Sequence, residues 1–150
     1  MSGRVLSTLF FERVGDLQLI ISGKDSPSAS DWLTYVASVR SAVDADNPAK
    51  GLLAFSDGGG PNSVQRKQIV DAFGRYSATL PVAICTSSVI ARGITTAISW
   101  ISPAPLKSFE YDDVREAYAW TKAGNPSFGE VLACVRKAQQ VCGFRVSKIT

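Results

Sequence analysis

The 150 residues carry 45% hydrophobic and 19% charged side chains with a net charge of +3, enough apolar material for one core and too little charge for a disordered chain. The basic pairs Arg66-Lys67 and Arg136-Lys137 stand apart and no Lys/Arg stripe interleaves with aromatics, which argues against nucleic-acid binding. The sequence holds no histidine, which removes the commonest general base, the commonest transition-metal ligand and every Ser-His or Cys-His nucleophile.

Val5 to Val14 contains a strand-like run, Leu6 to Phe11, and after Gly15-Asp16 a second run covers Leu17 to Ser22. Two β-rich runs around a short glycine-containing turn predict a hairpin. Polar residues Asp25 to Asp31 offer several helix caps, and Trp32, Leu33, Val36, Val39 and Val43 then recur at helical spacing, predicting a helix from about Asp31 to Ala45. Gly51 to Phe55 is a nearly continuous apolar run, as expected of a strand buried on both faces. The glycine-rich loop Ser56 to Ser63 follows, then a helix from Ser63 to Tyr76 with Ile69, Val70, Phe73 and Tyr76 on its apolar side.

The alternation continues with a strand over Leu80–Cys85, a helix over Val89–Trp100, and a short edge-like strand over Leu106–Phe109. Asp112 and Asp113 open a further helix, where acidic residues suit the positive end of the helix dipole. A last helix is expected over Ser127–Val141, before the tail around Phe144-Arg145-Val146. The order β-β-α-β-α-β-α-β-α-α predicts an α/β fold: a small mixed sheet, hairpin first, then strands alternating with helices that flank the sheet. No internal repeat or linker divides the chain, so one domain is expected over residues 1–150, with a core at about 5–121 and an additional C-terminal helix at about 127–141.

No run approaches the roughly 20 apolar residues needed to span a bilayer. The opening Met1-Ser2-Gly3-Arg4 leads into a strand pattern without the apolar stretch of a signal peptide, so the expected location is cytoplasmic. Cys85, Cys134 and Cys142 are odd in number and form no CxxC pair, which points to small buried hydrophobes rather than disulfides or a zinc site. Neither GxxxxGK[ST] nor GxGxxG is present, and no cofactor or metal is expected.

Two stretches resemble a known family. Val82-Ala83-Ile84-Cys85-Thr86-Ser87-Ser88, running into Ile90 to Trp100, resembles the third α/β unit of the SpoIIAA-like branch of STAS domains. Phe109 to Trp120 is similar to that family's ending, in which an aromatic-tipped strand meets an acidic turn and a helix closing in Ala-Trp. The resemblance covers roughly Leu6 to Thr121 and implies a fold related in shape to the lipid-binding SEC14 fold. It also implies a non-enzymatic, protein-interaction module in bacterial-type signalling or scaffolding, with a kinase-like or other signalling protein as partner.

In antagonist members of the family a kinase modifies a serine at the start of the helix after the central strand, and Ser63, then Ser56, occupy the nearest places here. The family's compact Asp-Ser-Ser-Gly-like turn is replaced by a longer, glycine-rich loop. The partner-binding surface is accordingly expected at Ser56, Asp57, Gly58, Gly59, Gly60, Asn62, Ser63 and Arg66. The same loop also reads as a turn that glycines permit, with Ser63 as an ordinary N-cap, or as a small-anion cradle at a helix N-terminus. Two alternatives stand beside the docking module: a carrier of an apolar small molecule or lipid, and a homo-oligomer assembled through the last helix.

Overall fold

Alternation of side chains along each strand decides the architecture, because it supplies an apolar surface to both faces of one sheet. A computed structural model describes residues 4–5, 8–56, 59–86, 88–89, 93, 105–110 and 113–142. Six strands lie in chain order within one sheet: β1 (Arg4–Val5), β2 (Leu9–Val14), β3 (Leu17–Ser22), β4 (Gly51–Ser56), β5 (Val82–Thr86) and β6 (Leu106–Phe109). The first three run antiparallel, whereas β3, β4, β5 and β6 are mutually parallel. Among the described residues the α-helices with defined bounds are α1 (Ala29–Asp44), α2 (Ser63–Phe73), α3 (Val114–Trp120) and α4 (Phe128–Cys142).

The expected hairpin forms, with Gly15 at φ +57° in its turn. A Cβ on Gly15 would lie 2.9 Å from the Asn125 carbonyl oxygen, so glycine answers both the left-handed backbone and the close approach. Two details differ from the sequence reading. The strand entering the hairpin is Leu9–Val14, extending past Phe11, and the two residues of β1 pair with it outside the hairpin. Leu6, Ser7, most of the helix expected over Val89–Trp100, Asp112 and the tail Phe144–Val146 lie outside the described residues.

Parallel neighbours need crossovers, and successive right-handed crossovers in one direction put their helices on one face. Accordingly α1 and α2 share a face, where Trp32, Tyr35, Val36 and Phe73 pack with Leu9, Phe11, Ile20 and Leu52. On the opposite face Val114 and Ala117 of α3, with Val131, Val135 and Ala138 of α4, cover Phe10, Leu19, Leu53, Phe55 and Ala83. The extra C-terminal helix therefore buries its apolar stripe against the chain's own sheet. Its residues Val131, Val135 and Ala138 are buried within this chain and unavailable for assembly.

Helix starts are set by side-chain caps. Ser28, not Asp31, caps α1 by accepting the Asp31 N–H at 3.2 Å. Asp31 turns outward instead to accept the Thr8 N–H at 2.8 Å, tying the helix to the strand beside it. Val70, placed by periodicity on the apolar side of α2, is 37% exposed; Ala72 and Gln65 take the inward positions. The helix ends at Phe73 and continues as a short 3-10 turn, Gly74–Tyr76, so Tyr76 is rotated away from the stripe that the longer helix would have given it.

Candidate functional site

The site forms where the parallel strands end on the α1/α2 face. Register places Ser22, Ser56 and Thr86 side by side on β3, β4 and β5, a row of buried hydroxyls at the C-terminal edge of the sheet. Four residues back along β4, at ~13 Å by strand rise, lies an apolar row formed by Leu52, Val82 and Leu106. Between sheet and helices lies a cavity of about 560 Å³. Its apolar walls include Trp32, Leu52, Phe73, Leu80, Val82 and Ile84. Its polar rim includes Ser22, Lys24, Asp25, Ser56 and Arg66.

Two loops are stitched together at this rim. The Gly59 N–H donates to the Gly23 carbonyl at 3.0 Å, Ser26 Oγ donates to the Gly60 carbonyl at 2.6 Å, and Ser56 Oγ donates to the Gly59 carbonyl. The approach is close enough that a Cβ on Gly59 would lie 2.1 Å from the Asp25 carbonyl oxygen, inside any permitted contact. Gly60 faces open space. The glycines of this loop therefore have different jobs: one permits backbone contact between loops, the other is sterically unconstrained.

Gln65 organises the start of α2. Asn62 is the N-cap, with its Oδ1 accepting the Gln65 N–H at 2.9 Å while Gln65 Oε1 accepts the Asn62 N–H at 3.0 Å. This reciprocal box corrects the reading of Ser63 as N-cap; Ser63 is the first helical residue, and the pattern Asn62-x-x-Gln65 is visible in the sequence. The same Gln65 side chain donates to the Pro27 carbonyl at 2.8 Å, and its own carbonyl accepts the Trp32 indole N–H at 2.9 Å. The cap thus occupies the N–H groups of Asn62 and Gln65 at the start of α2.

The residues expected at a partner surface divide into three groups. Ser56, Gly59, Gly60 and Arg66 line the cavity. Asn62 and Ser63 are exposed just outside it, beside Val64, which is 65% exposed. Asp57 and Gly58 lie outside the described residues. Ser63 is exposed, whereas Ser56 is buried with its hydroxyl engaged. Lys24, Asp25, Trp32 and Tyr35 also border the cavity; of these the sequence patterns mark only Asp25, in a polar stretch, and Trp32, on a helical stripe.

Arg66 is half-buried, and one of its N–H groups donates to the Pro61 carbonyl at 2.8 Å, fixing the guanidinium at the rim. Tyr35 lies over Phe11 and Trp32, with ring centroids 5.3 and 5.2 Å away. Its buried hydroxyl has no hydrogen-bond partner among the described residues, and burial raises its pKa above the ordinary tyrosine value. Burial also pushes the Cys85 and Cys134 thiols up to about 12, so neither is a thiolate nucleophile near neutrality. Among the described residues, no three of His, Cys, Asp and Glu gather as a metal site, and no helix is long and apolar enough to cross a membrane.

This architecture is a SpoIIAA-like α/β fold, a mixed sheet flanked by helices with an additional C-terminal helix. The particular likeness is to the crystal structure of an uncharacterised DUF3478-family protein from Shewanella loihica PV-4, described as having a SpoIIAA-like fold. The two align with a TM-score of 0.56 and 21% identity over 81% of this chain and 98% of that one, which establishes the shared fold. No family model matches the sequence, and no curated protein is detectably similar to it.

Proposed function

We propose that this chain is a non-catalytic binding module that takes an apolar small molecule into the cavity between its sheet and the α1/α2 layer. The observation that carries this reading is the cavity itself. Protein interiors are normally packed to crystal-like density, and about 560 Å³ lies within the ~300–1,000 Å³ range of ligand sites. The wall residues Leu52, Val82, Ile84 and Leu80 supply the apolar contact area, and the polar rim supplies a way in. The SEC14-related shape implied by the family resemblance agrees with such a role, in a cytoplasmic setting.

Organic-solvent extraction of the purified protein followed by mass spectrometry tests this function directly, together with titration of the stripped protein with the neutral dye Nile red. Recovery of a stoichiometric apolar compound, or saturable dye binding, is the expected result. A clean extract and no saturable binding would rule the reading out.

A second reading rests on the outer side of the same loop, where Asn62, Ser63 and Val64 are exposed together. There the module docks a signalling protein, and a phosphate on Ser63 at the first turn of α2 would tune that docking through the helix dipole. Pull-down from source lysate with wild-type protein and with Ser63→Asp checks it; retention of the same proteins by both, or of none, would count against the switch. Association with a second copy, detectable by light scattering, would have to use surfaces other than the buried stripe of α4.

A further inference from the structure

The cavity is polar at one end and apolar at the other, and that asymmetry specifies its ligand more closely. Along β4 the inward positions read Leu52, Ala54, Ser56, and along β5 Val82, Ile84, Thr86, so polarity rises in one direction over ~13 Å. Leu80 and Leu106 close the apolar end, while Lys24, Asp25 and Arg66 stand at the polar end. Two cationic side chains and one carboxylate leave this rim with a net charge of +1.

We propose that the ligand is an alkyl monocarboxylate, held with its carboxylate at Arg66 and Lys24 and its chain running along β4 and β5 toward Leu80 and Leu106. The proposal rests on the ligand-binding reading above and names the class of molecule that site takes. An alkyl chain lying along the strands covers the half-buried side chains of Ala54, Val82 and Ile84. Reversing the molecule would push its charge among Leu52, Leu80 and Leu106, whose side chains offer a carboxylate neither a hydrogen bond nor an opposite charge. A guanidinium matches a carboxylate with paired N–H donors. The bond from Arg66 to the Pro61 carbonyl uses one of its five N–H groups and holds the rest at the rim. Asp25 disfavours a second negative charge, which selects a monoanion over a phosphate.

Displacement of Nile red from the intact protein by decanoate and by 1-decanol, at pH 7.5, separates head from chain. Decanoate should displace the dye at about tenfold lower concentration than the alcohol, the gain expected of a hydrogen bond to a charged group. Arg66→Gln should abolish that difference; Arg66→Lys should keep part of it. Lys24→Gln, in an exposed loop, should reduce it without endangering the fold. Equal displacement by acid and alcohol in the wild type, or an acid preference untouched in both Gln variants, overturns the carboxylate assignment and leaves the cavity's ligand-binding role standing. Failure of dye, acid and alcohol alike to bind overturns both readings.

Discussion

The sheet presents alternate residues of the same strands to two different worlds. Toward α3 and α4, Leu53, Ala83 and Cys85 are fully buried; toward α1 and α2, their immediate neighbours Ala54, Val82 and Ile84 remain half-exposed. Composition does not distinguish the two sides, since both are aliphatic. The difference lies in what covers them: α4 lays Val131, Val135 and Ala138 into one side, while the other retains the cavity. One face is thus closed by packing, and the other keeps open space between sheet and helices.

Paired truncations put the largest strain on this comparison. Leu53→Ala removes a fully buried side chain from the closed face and should cost about 3–4 kcal/mol, transfer plus cavity terms together. Ile84→Ala, on the open face, should cost only about 1–2 kcal/mol because its side chain is already partly solvated. Urea denaturation measures both; equal losses would break the distinction between the faces. Ile84→Ala should also weaken Nile red binding, which Leu53→Ala at a partial denaturant-free stability loss should not.

The rim gives a smaller, sharper contrast between adjacent glycines. Gly59→Ala drives a Cβ into the Asp25 backbone and should cost about 1–3 kcal/mol, as overpacking does, by separating the two stitched loops. Gly60→Ala meets nothing within 4 Å and should change stability by less than about 0.5 kcal/mol. Thermal melts of the two variants decide this, and a Gly59→Ala protein as stable as wild type would show that the loops are not held together as described.

How much of this was legible in the sequence follows from the range of each signal. β-rich and apolar runs such as Leu17–Ser22 and Gly51–Phe55, and the helical stripe of Trp32, Val36 and Val39, are local patterns, and they located the strands, the first helix and the mixed sheet. The loop from Ser56 to Ser63 was also marked by its glycines, and four of the residues expected to bind a partner, Ser56, Gly59, Gly60 and Arg66, line the cavity. The cavity itself was not legible, because periodicity says which way Val82 and Ile84 point but not whether a helix fills the space above them. Nor was the contribution of Lys24 and Asp25 to the rim; Asp25 meets Gly59 because the parallel pairing of β3 with β4 brings the loops after them together. The Asn62/Gln65 box is readable in the sequence as Asn-x-x-Gln, starting one residue before the serine expected as a cap.

Tyr35 supplies the smallest predicted effect and the finest test of the open face. An unpaired buried hydroxyl costs its full desolvation on folding, so Tyr35→Phe, which keeps the ring against Phe11 and Trp32, should stabilise the protein by about 1 kcal/mol. The pH dependence has a definite sign. Burial holds the folded-state pKa of Tyr35 above its ordinary value of 10.0, so the folded protein keeps a proton that the unfolded chain releases. That contribution is present in full below pH 10.0 and is lost as the pH climbs beyond it, so the advantage of the Phe variant over wild type should widen in alkaline solution. Urea titrations at neutral and at alkaline pH measure both quantities. A Phe variant less stable than wild type at neutral pH would mean that the hydroxyl is hydrogen-bonded in solution, with water in the cavity as the nearest source of a partner, and the α1/α2 face would then be wetter than its aliphatic walls imply.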